Sequence, residues 1–177
     1  MKYLLLTGFV SLALTATASF AEEKCGEAKG NMIVGKVTLQ CLKITGTAKF
    51  DGTTIAGNLH ITGPLEAKSA KLSSLKVAGV VTLTDTTVSG PVNIAGTLEA
   101  KNTTFLDKIL FQGKSASFTH STLKDIEITS KASQKTTIYL EDDSVINGNI
   151  TFKNGNGLVK NHHATLNGKI IGGKMAQ

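Results

Sequence analysis

The sequence predicts an all-β fold, a single-stranded parallel β-helix of about eight coils, and three observations predict it. The stretch from Ile44 to Lys76 is restated from Val77 to Ile109, so that Gly46, Thr53, Thr54, Gly57, Ile61, Gly63, Leu65, Glu66, Ala67 and Lys68 return as Gly79, Thr86, Thr87, Gly90, Ile94, Gly96, Leu98, Glu99, Ala100 and Lys101. A fixed period of this size marks a stacked architecture, in which each repeat buries its apolar face against its neighbours. The period also halves: Ile44-x-Gly46, Ile61-x-Gly63, Val77-x-Gly79 and Ile94-x-Gly96 open units of about 16 to 18 residues, shorter than any helical hairpin repeat. Finally, apolar residues recur at period two, and no sustained 3.6-residue pattern occurs outside the first 21 residues.

The chain divides in order. Lys2, the apolar run Tyr3 to Leu14 and the small residues Thr15 to Ala21 have the layout of a secretory signal peptide over residues 1–21. Its apolar core is shorter than the ~20 residues of a bilayer span, which disfavours an uncleaved anchor. Residues 22–32 are a polar lead-in that reads as an N-terminal cap. Cys25 is preceded by Glu22, Glu23 and Lys24, which disfavours a lipid-modified cysteine. Cys25 and Cys41 are the only cysteines, and an even number in an exported chain points to a disulfide pinning this cap over the first coil, against two buried thiols. Closing that loop is worth ~3 kcal/mol on chain entropy.

The β-helix is predicted over 33–172, with 173–177 as a C-terminal tail. Each unit reads as strand, corner, strand, corner, short strand. In the first, Ile44, Gly46, Ala48 and Phe50 alternate inward, Asp51-Gly52 turns, and Ile55 points in again. Later units keep three inward rows: Phe50, Ala67, Leu83, Ala100, Phe118; then Ile55, Leu72, Val88, Phe105, Leu123; then Ala48, Leu65, Val81, Leu98, Ala116. Large and small residues alternate in the first row, which fills a narrow interior without voids. Pro64 and Pro91 fall at corners, where a missing N–H is harmless. The repeat loosens after Leu110, with one extra residue near Gln112-Gly113 and a polar loop within Ile128 to Leu140, and it returns through Asn-Gly turns from Val145 to Gly172. Right-handed winding follows from the handedness of parallel crossovers.

Charge narrows the function classes. The formal net charge is +6, and all 19 basic residues are lysine. Without the bidentate fork of arginine, without tryptophan and with few aromatics, nucleic acid is excluded as a partner. The lysines read as solvated gatekeepers on a strand-rich surface.

The outward residues form columns. Lys49 and Glu66, and Asp51 and Lys68, fall one coil apart as charge ladders. Glu66 and Glu99 lie two coils apart with Thr82 between, a spacing that barely permits glycosidase chemistry and lacks any aromatic platform. Glu141-Asp142-Asp143 reads as a charged corner, against a calcium loop. His60, His120, His162 and His163 lack the spacing of zinc ligands. Thr54, Thr87, Thr104, Thr122 and Thr137 share an offset, interrupted by Lys71, with Thr53, Ala70, Thr86, Thr103, Ser121 and Thr136 beside them. A flat outward array of this kind could bind ice, but threonine ladders equally stabilise sheets and Lys71 breaks the plane. No catalytic residue, metal site or cofactor is predicted.

The phrase Ile-x-Gly-x-Leu-x-Ala, at Ile61 to Ala67 and Ile94 to Ala100, with Ile146-Asn147-Gly148-Asn149-Ile150, resembles the polymer-forming parallel β-helices of the bactofilin type. That resemblance, over about Ile44 to Gly172, implies a β-helix whose ends stack into filaments, with no enzyme activity and no nucleotide. The leader departs from it, since bactofilins are cytoplasmic. The expected function is that of a non-enzymatic exported scaffold, periplasmic or at the cell surface, which self-associates or meets an envelope partner and has no transmembrane span once the leader is removed. The alternative is a carbohydrate-binding or carbohydrate-active β-helix. The hexad repeat of left-handed acyltransferases is absent.

Overall fold

The computed structural model describes residues 25–176, so the leader read over 1–21 lies outside the described residues. Every strand is parallel to its neighbours, and all belong to one continuous sheet wound into three faces. On the first face, rungs begin at Gly26, Leu42, Leu59, Leu75, Val92, Ile109, Ile126, Ile150 and Ile170, each in register with the next. The second face stacks Met32, Ala48, Leu65, Val81, Leu98, Ala116, Ile138, Val159 and Met175. The third, made of short strands, stacks Leu39, Ile55, Leu72, Val88, Phe105, Leu123, Ile146 and Leu166.

The stack therefore has about nine turns where the sequence predicted eight. Strand Gly26–Lys29, inside the predicted cap, is the first rung and pairs with Leu42–Thr45. Gly173–Met175, inside the predicted tail, pairs with Gly157–Val159 as the last. Both segments are legible only as backbone, since Gly-Glu-Ala-Lys and Gly-Lys-Met lack the inward apolar alternation that marks the other rungs.

The three predicted inward rows are buried, with Phe50, Ala67, Leu83, Ala100 and Phe118 in register through the middle of the stack. Alanine on two of the rungs leaves the width that a phenylalanine ring on another occupies. Phe105 and Phe118 meet edge to face, with ring centroids 6.1 Å apart.

Two corners set the shape. Between the first and second faces, Gly30, Gly46, Gly63, Gly79 and Gly96 form a column at positive φ, from 91° to 157°. A Cβ on Gly46, Gly63, Gly79 or Gly96 would strike the carbonyl oxygen of the glycine one rung earlier. This is the physical content of the repeated Ile-x-Gly: only a bare backbone lets successive rungs approach there. At Gly113 the extra residue appears as a register shift opposite Ala95 to Thr97.

Between the second and third faces, the residue at the bend takes positive φ even where it is not glycine: Ser69, Asp85, Asn102 and His120 lie near 50°. The residue that follows each bend is turned inward. Thr53, Thr86, Thr103, Ser121 and Ser144 are buried, and their hydroxyls are satisfied by backbone. Thr86, Thr103 and Ser121 each donate to the carbonyl two residues earlier at 2.9 Å. The amides of Thr103 and Ser121 in turn donate to Ser121 Oγ and Ser144 Oγ of the next rung, both at 3.2 Å. The result is an internal hydroxyl ladder along the axis, interrupted at Ala70, whose amide faces Thr86 Oγ1.

This corrects the threonine array read from sequence. Its second column is not outward but buried, and Ser144, not Thr136, continues it. The outward column runs Thr54, Lys71, Thr87, Thr104, Thr122, Val145 and Thr165, so Thr137 is not a member and Val145 interrupts it. Counting residues failed there because the polar loop between Ile128 and Thr136 lengthens that coil.

Candidate functional surfaces

The sequence-predicted disulfide is present: Cys25 and Cys41 are joined, with Cα atoms 4.7 Å apart. Their 16-residue separation is one turn of the helix, so the bond ties the start of the first rung to the start of the second. That rung is short and poor in apolar side chains, and a covalent tether offsets its weak packing.

Some outward charges pair along columns. Lys49 Nζ lies 2.9 Å from Glu66 Oε1, as the register of the second face requires. Asp51 and Lys68 are register neighbours in the same pair of strands. On the first face Lys43 meets Glu27 at 3.3 Å. These pairs are exposed and worth a few tenths of a kcal/mol each, so their main effect is on register.

A charge cluster that sequence reasoning missed centres on Glu127, whose carboxylate accepts from Lys108 at 2.9 Å and lies 3.6 Å from Lys153. The hydrogen bond and charge of Lys108, helped by Lys153, hold the Glu127 carboxyl below the usual carboxylate range. In turn Glu127 holds the Lys108 ammonium above the usual lysine range. The partners sit 19 and 26 residues away because the intervening coils differ in length, so no fixed repeat reveals them.

The structure does not gather the other candidates into a site. Glu66 and Glu99 are separated by Thr82 in their column. Asp142 and Asp143 both take positive φ at the bend after Glu141, and the amide of Asp142 donates to His162 carbonyl. Among the described residues no three His, Cys, Asp or Glu side chains converge as metal ligands. No helix among them is long and apolar enough to cross a membrane.

Two features remain as candidate functional surfaces. One is a shallow groove of about 270 Å³ on the second face, between the columns Thr82, Glu99, Ser117 and Thr84, Lys101, Thr119. The other is the open end of the stack. Among the described residues, the last rungs, Thr165–Leu166, Ile170–Ile171 and Gly173–Met175, are each paired on one side only. Ile171 and Met175 are 49% and 43% exposed, and Leu166 and Ile170 are half-buried where their counterparts inside the stack are fully covered. At the other end Met32 and Leu39 are half-buried and Ile33 is 58% exposed.

No protein-family model matches the chain, and no curated protein or solved structure matches it either. The parallel β-helix implied by the bactofilin resemblance is present in the fold; family membership is not shown by these comparisons.

Proposed function

We propose that the protein is a non-enzymatic exported scaffold that lengthens its β-helix by end-to-end association with further copies of itself. One observation carries this: among the described residues, the terminal rungs have no strand on their outer side, beside apolar side chains of the inner rows, Leu166, Ile170 and Met175. Such edges are either covered or paired with another chain. Head-to-tail stacking of Gly173–Met175 and Ile170–Ile171 on the first rungs of a second copy keeps all strands parallel and continues the rows through Ala28, Met32 and Leu39. The leader layout and the disulfide support export to a periplasmic or surface location. An envelope protein with an open sheet edge is the other partner of the same chemistry.

Light scattering of the purified exported protein over a concentration series tests this. Mass should rise with concentration, and Ile171→Lys together with Met175→Lys should abolish the rise without changing the circular dichroism spectrum. A strict monomer at the highest concentration would overturn it. Mass spectrometry of the same material should give a chain beginning at Glu22.

A further inference from the structure

The second face uses its charges in two different ways. Near its start, Lys49 and Glu66 occupy successive rungs and pair. Two rungs beyond Glu66, register denies Glu99 the same partner: Thr82 lies before it and Ser117 after it. Lys101 is likewise flanked by Thr84 and Thr119. The hydrogen bonds that reach this segment from the buried ladder go to the backbone carbonyls of Thr84, Lys101 and Thr119, and leave the side chains free. One carboxylate, one ammonium and four hydroxyls thus line a groove floored by Leu83 and Ala100, with their hydrogen-bonding capacity unused among the described residues. Tyr139 follows Ser117 in its column, one rung beyond the residues that line the groove, and Lys160 Nζ sits over one face of its ring, 5.2 Å from the centroid.

From this geometry we infer that the groove binds a neutral linear oligosaccharide lying along the helix axis. The charges of Glu99 and Lys101 cancel, so neither an anion nor a cation is favoured. Hydroxyls both donate and accept, as do the hydroxyls of a sugar, and the carboxylate and ammonium add one strong acceptor and one strong donor. The tyrosine offers an apolar body with a polar tip, suited to the C–H face of a pyranose ring. A peptide strand is disfavoured, because the strands flooring the groove are paired on both sides and offer no backbone for strand addition. The groove is small beside the ~300–1,000 Å³ of enclosed ligand sites, so it seats a short part of a chain ligand that extends along the rungs. This binding is independent of end-to-end association, and a monomer that binds sugar would separate the two.

The chain has no tryptophan, and from Glu22 onward Tyr139 is its only tyrosine, so tyrosine fluorescence reports on the rung next to the groove. The exported protein is titrated with hexasaccharides of β-1,4-glucose, β-1,4-N-acetylglucosamine and α-1,4-glucose, with calorimetry in parallel. A saturable change in fluorescence and heat with at least one of them is expected, at least tenfold weaker in affinity for Glu99→Gln and Lys101→Met. Thr104→Val, on the third face, should bind like wild type. The inference is overturned if none of the three probes gives a saturable change or heat, or if Glu99→Gln and Lys101→Met bind as tightly as wild type. These side chains are exposed or half-buried, so the variants should keep the wild-type melting temperature, which is measured on the same samples.

Discussion

The middle coils and the C-terminal coils solve the same stacking problem with different means. From Leu42 to Phe118 successive rungs are 16 or 17 residues apart on the first face, and the glycine column and buried hydroxyl ladder recur at fixed positions. After Ile126 the first face advances to Ile150 and then Ile170, with loops inserted between Ile128 and Thr136 and after Phe152. There, register is also held by carboxylate and amide side chains: Asp125 Oδ1 accepts from Asn149 N at 2.7 Å, Asn149 Oδ1 from Lys169 N at 2.9 Å, and Asn167 Nδ2 donates to Asn147 Oδ1 at 3.1 Å. Glycine against backbone recurs there too, since a Cβ on Gly168 would strike the Gly148 carbonyl oxygen across a lengthened coil, so what distinguishes the C-terminal coils is the added asparagine and aspartate bridges.

The largest expected effect breaks the middle region at its glycine column. Gly96→Ala puts a Cβ against Gly79 carbonyl oxygen at a φ of 149°, and should cost on the order of 3 kcal/mol in chemical denaturation. Gly155, at φ 69° in a C-terminal loop, has open space where a Cβ would go, so Gly155→Ala should cost only about 1 kcal/mol. Equal losses at the two glycines would remove the distinction between the regions.

A smaller effect separates the buried ladder from the outward column beside it. Thr103→Val deletes a hydroxyl that donates to Lys101 carbonyl at 2.9 Å and should cost about 1–2 kcal/mol. Thr104→Val, one residue on and half-exposed, should fall within about 0.5 kcal/mol of wild type.

The smallest effect is a pH dependence at the junction of the two regions. Because the folded state holds Glu127 below the usual carboxylate range, its contribution to stability is present above that range and is lost as pH falls through the lowered value. Lys108 has the opposite sign: its contribution is present below the usual lysine range and is lost as pH rises through the raised value. In melts from neutral to acid pH, Glu127→Gln should start slightly less stable than wild type and converge with it at the acid end.

Much of this architecture is legible in the sequence because a solenoid repeats its contacts at a fixed offset. The three inward rows, the charge pair Lys49–Glu66 and the extra residue near Gly113 follow from counting alone. Counting fails where the coil length changes. Thr122 pairs with Val145 rather than with Thr137, and Glu127 meets Lys153 across the longest coil. It also cannot separate an outward threonine from an inward one, since Thr53 and Thr54 are the same residue type, adjacent after one bend, the first facing in and the second out. The bend is set by backbone at positive φ, in Ser69 and His120 as in Gly52, Asp85 and Asn102, so five different residue types mark one corner and no single letter reveals it. The groove was illegible for a related reason: its six lining side chains are ordinary strand residues whose significance lies in lacking partners one rung away.

Electron microscopy of the purified chain from Glu22 onward, at high concentration, tests the central claim most directly. Filaments of uniform width are expected, with the ~4.8 Å strand spacing continuing unbroken across subunit junctions. A field of separate short rods, each the length of one stack and none joined end to end, would contradict it.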